Sequence, residues 1–567
     1  MRFTHRMQAV IFCFVVLVLI IACFLNRRDI NDEWILDGIF PIYLPFVMLF
    51  AVIVSFSSNI KFIAIITSIS LATFVLIPSL KYVFIYGYHD PLGHYGFIRE
   101  LINSGSIPES GFYASQYGST PGSHIIVSTI SLIAGLDAAA AMKVFLIISA
   151  FIIPLATYFV IKKLNMPKKL FKIIIIATAV TAPVQYIFTG TIASYPILVL
   201  FFCFWLLLAC RDYTHSNFLI ATLLGITIII SHDVTSFFVL ACLSFVLFAN
   251  LFTKTVKYSK YSKTNSLLNL TIVLLILIHF VFASSFNFPR LLFLIKDSIW
   301  SLFLRGSPVA FEYYQSFFEL NLLQKVSVLA VRFAKNAILI FLSILAPLAI
   351  WRLKLDNNDL KRFYSKLAIP TVFALLLFIL PLFVRPLVSR GLIYLSAFSP
   401  FLAGITIFWF IYSKRHFENT ILAVIVFSLI SISIIQIYPC QPLIPQVSTE
   451  YGNYYVADWR EVSTIYTRSM IYFVATYNIR LNVWADDITR WEIYGLTSPT
   501  FQSLLTWHPS SSPLVLLSHA GDAHVIPSAR DAVAHEQYLQ NASRENSVIY
   551  NSGKSLILFN ATIQTGT

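Results

Sequence analysis

Stretches of about 20 apolar residues recur along most of this 567-residue chain. As a helix, each is long enough to cross a hydrocarbon layer of about 30 Å. The stretches are continuous rather than alternating, which is typical of helices and not of the strands of outer-membrane barrels. The sequence therefore predicts an all-α polytopic membrane protein. A water-soluble globule is excluded, because only 12% of the residues are charged, against about a quarter in soluble proteins.

Thirteen segments follow this pattern, so we expect about 13 transmembrane helices. They lie at 8–25, 39–56, 62–86, 139–161, 172–188, 196–210, 218–231, 235–252, 267–285, 336–351, 368–384, 391–411 and 420–438. The prediction is a membrane domain over residues 1–438, with long outward loops at 87–122 and 286–335. Residues 439–567 mix polar residues with short β-type runs and predict a small extracytoplasmic α/β domain.

Lysine and arginine are distributed unevenly between the loops. The loop Lys162–Lys172 contains five lysines, whereas Thr189–Tyr195 and His232–Ser236 contain neither Lys nor Arg. By the positive-inside rule, the N-terminus is cytoplasmic, and an odd number of spans makes the C-terminus extracytoplasmic. We expect an integral protein of the cell membrane. Its net charge of +14 then lies beside anionic membrane lipids, and no nucleic-acid partner is needed to explain it.

The first long outward loop contains the most informative polar residues. Asp90 and His94 are four residues apart, so both lie on one face of a helix that begins near Asp90. Pro91 suits the first turn of that helix, and Asp90 suits its N-cap. A carboxylate where an apolar span meets water is also rare and can serve as a general base. The residues leave both interpretations open.

The order of His89, Asp90 and His94, followed by Thr120–His124 (Thr-Pro-Gly-Ser-His), resembles the GT-C superfamily. Its members are membrane glycosyltransferases that use polyprenyl-phosphate-linked sugars, and they include protein mannosyltransferases and aminoarabinose transferases. The resemblance implies that Asp90 is the catalytic carboxylate, with the three histidines (His89, His94 and His124) in supporting or substrate-binding roles. It also implies that Thr120–Gly135 is a helix on the membrane surface, too short to span.

The chain departs from the superfamily in two places. The Trp-Trp-Asp-Tyr-Gly signature of oligosaccharyltransferases is absent, and the second outward loop, Thr189–Tyr195, lacks the acid that several relatives use. Both departures argue against transfer of a preassembled oligosaccharide to asparagine and against a two-acid metal site. No metal-ligand spacing stands out, so no metal site is predicted, and a requirement for a divalent cation is left open.

A phosphate leaving group needs fixed positive charge near it. Arg385 and Arg390 lie at the outward junction of two apolar spans, and guanidinium groups match phosphate oxygens in a bidentate manner. The alternative is that both side chains extend to lipid headgroups at the interface. In a short outward turn, His232 and Asp233 are candidates for binding the sugar or the phosphate. Asp233 would serve equally well as an N-cap.

The leading interpretation is a glycosyltransferase that moves a sugar from a polyprenyl-phosphate carrier to a lipid, glycan or protein acceptor, with Asp90 as general base. The alternative is a polytopic transporter or flippase for a lipid-linked saccharide or another lipid phosphate. A transporter should carry charged or broken helices near the bilayer midplane. Here the ionisable residues collect instead at the outer ends of the spans, which favours the enzyme.

Overall fold

The computed structural model of the protein describes the greater part of the membrane segment and short pieces of the tail. These are residues 5–27, 38–81, 90–108, 117–164, 166–181, 195–209, 215–252, 260–282, 338, 340–353, 358–379, 385–412, 418–437, 446–449, 452–456, 483–485, 514–518, 525–526, 547–551 and 555–559.

Helices form the regular secondary structure of the described membrane segment. The helices are α1 (His5–Leu25), α2 (Phe40–Phe56), α3 (Ile60–Lys81), α4 (Asp90–Ser104), α5 (Gly122–Ala134), α6 (Ala138–Ile161), α7 (Lys168–Thr181), α8 (Tyr195–Ala209), α9 (His215–Ile229), α10 (Asp233–Phe252), α11 (Lys260–Phe282), α12 (Ala346–Arg352), α13 (Asn358–Ile379), α14 (Arg385–Tyr412) and α15 (Glu418–Ile437). A short 3-10 turn, Lys162–Leu164, follows α6.

The longest helices pack into one apolar core, in which α3 lies against α6, and α14 lies against both α7 and α13. The short helices α4 and α5 lie outside that core. They pack on the first turns of α6 through a separate cluster that includes Ile98, Val127 and Met142. This second cluster fixes α4 and α5 to one end of the bundle.

Local signals explain why α5 is short. Gly135 adopts a left-handed conformation with φ 63°, which suits a residue without a side chain, and its N–H bonds the carbonyl of Ser131. Two residues later, the Asp137 carboxylate accepts the Ala140 N–H at 2.8 Å and caps α6. The chain therefore leaves α5 and enters α6 within three residues. The expectation of a helix too short to span is confirmed, since α5 has 13 residues.

Side-chain contacts define two ends of the bundle. At one end, which we call the lysine end, Lys169 at the start of α7 pairs with Glu418 at the start of α15. Lys172 donates there to the carbonyl of Ser55, near the end of α2. At the other end, which we call the histidine end, Lys143 of α6 donates to the Ser79 carbonyl of α3 at 3.1 Å. Helices α4 and α5 belong to the histidine end.

A described helix overlaps each of the predicted spans. Among the described residues, three helical segments are long and apolar enough to cross a membrane: His5–Leu25, Ile60–Lys81 and Ala138–Phe159. Shorter apolar segments fall on several other helices, so the number of crossings stays a prediction.

Some helices begin before the apolar spans predicted on them. Helix α14 begins at Arg385, ahead of the span predicted at 391–411, and α13 begins at Asn358, ahead of the span predicted at 368–384. Hydropathy marks where a segment is apolar, but a helix continues through adjoining polar residues as long as its backbone bonds are made. As a result, Arg385 and Arg390 lie within the first two turns of α14 and not in a loop before it.

The tail contains β-strands where the sequence has β-type runs. Strands β1 (Gln446–Thr449), β2 (Gly452–Val456) and β5 (Val525–Ile526) form one sheet in the order β1-β2-β5. The order of the other sheet is β3-β4-β7-β6, formed by β3 (Val483–Ala485), β4 (Leu514–Ser518), β6 (Ser547–Asn551) and β7 (Ser555–Phe559). No helix falls on the described residues of the tail, so its α/β character and the boundary at 439 stay predictions.

Candidate functional site

Helices α4 and α5 bring two histidines together at the histidine end. His94 Nδ1 lies 2.9 Å from His124 Nε2, and both residues are 0% exposed. Aromatic rings enclose the pair. The Tyr117 ring lies 4.6 Å from the His94 ring and 5.2 Å from the His124 ring, while the Phe97 ring lies 4.5 Å from that of His124. The two predicted histidines are therefore a buried, hydrogen-bonded pair.

The distance between the two nitrogens requires one to donate and the other to accept. Protonation of both rings would leave two donors, and two positive charges, facing each other out of contact with water. Burial lowers the pKa of His124 well below its usual value of 6.5, and the neighbouring His94 lowers it further. His124 is accordingly neutral at physiological pH.

The lowered pKa gives a pH-dependent contribution to stability. Well above pH 6.5, His124 is neutral in both the folded and the unfolded chain, so its titration does not change the free energy of unfolding. Below pH 6.5 the unfolded chain binds a proton that the folded chain does not. As the pH decreases, the free energy of unfolding therefore falls, by up to about 1.4 kcal/mol per pH unit. Thermal unfolding in detergent between about pH 5 and 7.5 measures this slope. Because His124→Phe removes the titrating ring, the same slope in that variant would contradict the assignment.

The start of α5 is fastened to the turn between α9 and α10. The Gly122 N–H donates to the Ile230 carbonyl at 2.8 Å. A Cβ added at Gly122 would meet that carbonyl oxygen at 2.9 Å and would also collide with the Ser231 hydroxyl. Only glycine allows so close an approach, so Gly122 of the Pro-Gly-Ser-His sequence has a packing role. Its predicted position at the end of the loop 87–122 does not indicate that role.

Several buried polar atoms near this junction have no hydrogen-bond partner among the described residues: Ser123 Oγ, Ser231 Oγ and His124 Nδ1. Buried polar groups without a partner are uncommon, and in a site such groups bond a ligand or water. All three lie on or beside the junction between α5 and the α9–α10 turn. This junction can therefore contribute polar contacts to a bound molecule.

On the other side of the turn, a second polar cluster reaches α14. His232 Nδ1 accepts the Thr235 N–H at 3.1 Å and lies 2.7 Å from Thr235 Oγ1, which is 3.0 Å from the Tyr394 hydroxyl. A ring nitrogen that accepts a backbone N–H carries no proton, so His232 is neutral with its hydrogen on Nε2. His232 precedes α10 and accepts an N–H of its first turn, so it caps the helix.

The interpretation of Asp233 as the N-cap is therefore wrong. Asp233 begins α10, and its carboxylate faces His279 of α11 at 3.3 Å. Both side chains are largely buried, with exposures of 13% and 8%. This pairing also accounts for His279, whose position inside an apolar span is explained by a polar partner on the next helix.

The residues expected to do the chemistry are placed by their backbones. Asp90 is the first residue of α4, as the spacing predicts, and Arg385 and Arg390 lie at the start of α14. The side chains of these three residues, and His89 as a whole, lie outside the described part of the structure. So does the second long outward loop, 286–335. Their roles stay predictions.

Sequence reasoning missed three residues that connect the site. Tyr117 covers both histidine rings, Gly122 allows α5 to approach the turn, and Tyr394 links α10 to α14. For Tyr394 a signal was present, since it follows Arg390 by four residues and so shares its helix face. Gly122 lies within the Thr-Pro-Gly-Ser-His motif, whereas no comparable signal marks Tyr117.

Among the described residues, no group of three or more His, Cys, Asp and Glu side chains is arranged to hold a metal ion. His94 and His124 bond each other through one nitrogen each. The question of a divalent cation stays open.

No protein-family model and no curated protein matches the chain. Solved structures similar to it include two of ArnT from Cupriavidus metallidurans. The ArnT structure bound to undecaprenyl phosphate has a TM-score of 0.47 and 10% identity, with 88% of this chain and 98% of that chain covered. For the apo structure, the TM-score is 0.34 and the identity 13%, with coverages of 84% and 94%.

At this similarity, no residue role and no activity is carried over from these structures.

Proposed function

We propose that this protein is a membrane glycosyltransferase. It transfers a sugar from a polyprenyl-phosphate carrier to a lipid, glycan or protein acceptor on the extracytoplasmic face. The observation that carries the proposal is the position of α4 and α14. Contacts through the α9–α10 turn hold the helix that begins at Asp90 and the helix that begins at Arg385 at the same end of the bundle.

Two kinds of charge are required by the reaction and supplied by these helices. Asp90 takes the proton of the acceptor hydroxyl as its oxygen attacks the anomeric carbon of the sugar. The bond between that carbon and the phosphate oxygen breaks, and polyprenyl phosphate leaves with the bonding electron pair. Arg385 and Arg390 neutralise the leaving phosphate. A single displacement of this kind inverts the anomeric configuration.

The distribution of lysines supports the orientation. The 3-10 turn after α6 and the start of α7 carry Lys162, Lys163, Lys168, Lys169 and Lys172, all toward the lysine end. A face rich in lysine is cytoplasmic in membrane proteins. The histidine end is then extracytoplasmic, where a lipid-anchored donor and an external acceptor meet.

A panel of polyprenyl-phosphate sugars tests the function directly. Purified protein in lipid vesicles is incubated with each donor and an acceptor extract, and the release of free polyprenyl phosphate is measured. We expect release with one donor class and inversion at the anomeric carbon of the product. Movement of an intact lipid-linked sugar across the vesicle without bond cleavage would instead identify the transporter alternative. Repeating the successful reaction with a chelator decides whether a divalent cation is required.

A further inference from the structure

An unbroken series of contacts joins α4 to α14 across the histidine end. His94 of α4 bonds His124 of α5 at 2.9 Å, and Gly122 at the start of α5 bonds Ile230 at 2.8 Å. From the same turn, His232 contacts Thr235, whose hydroxyl lies 3.0 Å from that of Tyr394 in α14. Three separate helical units, α4, α5 and the α9–α10 pair, are thus connected to α14 by hydrogen bonds rather than by apolar packing alone.

The two outermost contacts of this series lie one helical turn from the residues proposed to react. His94 follows Asp90 by four residues in α4, and Tyr394 follows Arg390 by four residues in α14. Four residues correspond to about 6 Å along a helix and return to the same face. The series therefore fixes each helix directly behind its proposed functional position.

Burial makes the His94–His124 contact a rigid one. Both rings are 0% exposed, and Tyr117 and Phe97 pack on them, so neither ring can turn to water in exchange for its partner. Beyond this contact, α4 is held by a small apolar cluster that includes Ile98. Without the contact, α4 would stay packed on α5 and α6 through the apolar cluster but could shift along them.

We propose that His124 is a positioning residue of the transfer reaction. Through His94 it sets where α4 lies, and so it sets the separation between Asp90 and the arginines of α14. The proposal rests on the proposed function, since it assigns His124 a role in the same reaction. In this role His124 acts through His94 and requires no contact with the donor or the acceptor.

The test compares His124→Phe, which keeps an aromatic ring but removes the hydrogen bond, with His124→Gln, whose amide can replace the ring nitrogen. Ser128→Ala, which removes a buried hydroxyl one turn further along α5, is the matched control. We expect kcat of His124→Phe to fall by about 100-fold, because a misplacement of about 1 Å has that effect, while the donor KM changes less than about twofold. His124→Gln should recover at least about a tenfold part of the loss, and Ser128→Ala should match the wild type.

Gly122→Ala breaks the series at a different link and decides the matter should His124→Phe not fold. It should also lower kcat with little change in the donor KM, since its added methyl displaces Ile230. Folding of each variant is checked by size-exclusion chromatography and thermal unfolding in detergent.

The failure of this proposal is distinct from the failure of the function. Suppose that the wild type is active and that folded His124→Phe or Gly122→Ala turns over within about twofold of it. That result would overturn the positioning role alone. An equal loss in His124→Phe and His124→Gln would also overturn it, because a restored hydrogen-bonding group would then not recover the rate. A folded wild type that cleaves no donor would overturn both.

Discussion

Asp90→Asn is expected to lower the transfer rate by about 10²- to 10⁴-fold, the range that a general base contributes. The amide keeps the shape of the side chain but cannot take the proton of the acceptor hydroxyl. Donor binding should be retained, because the proposed phosphate contacts come from α14. The measurement is single-turnover release of polyprenyl phosphate, made beside a donor-binding titration.

Glu100→Gln provides the matched control for Asp90→Asn. Glu100 lies on the same helix α4, ten residues further on, and it loses one carboxylate charge in the same way. Its rate should stay within about twofold of the wild type, since it is remote from the proposed reaction. A wild-type rate in Asp90→Asn would remove Asp90 from the chemistry and leave it as the first residue of a helix.

Arg390→Ala should raise the donor KM by about 10- to 150-fold, which corresponds to the loss of a hydrogen bond to a charged group of about 1.5–3 kcal/mol. The acceptor KM should change little, because the role proposed for the arginine is at the leaving phosphate. Arg390→Lys restores the charge but not the planar fork, so its effect should be intermediate.

Arg352→Ala is the control for loss of an arginine as such. Arg352 is the last residue of α12 and lies over the Trp351 ring at 4.9 Å. It follows the tenth predicted span, which ends on the cytoplasmic side. Its removal should leave donor use unchanged. Unchanged donor kinetics in Arg390→Ala, with Arg385→Ala also unaffected, would instead favour simple extension of both side chains to lipid headgroups.

The site illustrates how far local patterns reach. The Asp90–His94 spacing and the first-turn proline predicted a helix beginning near Asp90, and α4 begins there. The short turn around His232 was also correct, because a polar break between two apolar runs is visible in the sequence. The cap assignment within that turn failed, since Asp233 has a partner on another helix, His279. A local rule cannot detect such a partner.

The amino-acid sequence by itself determined the helical character of the membrane segment and the shortness of helix α5. It also determined the positions of polar residues at the ends of apolar runs. These properties depend on neighbours within a few residues. Only the tertiary structure decided which of those ends meet, as in the pairs His94–His124 and Thr235–Tyr394, which are 30 and 159 residues apart. Helices that are apolar on every face carry no stripe that specifies a partner. In a membrane, close packing and interhelical hydrogen bonds choose it instead.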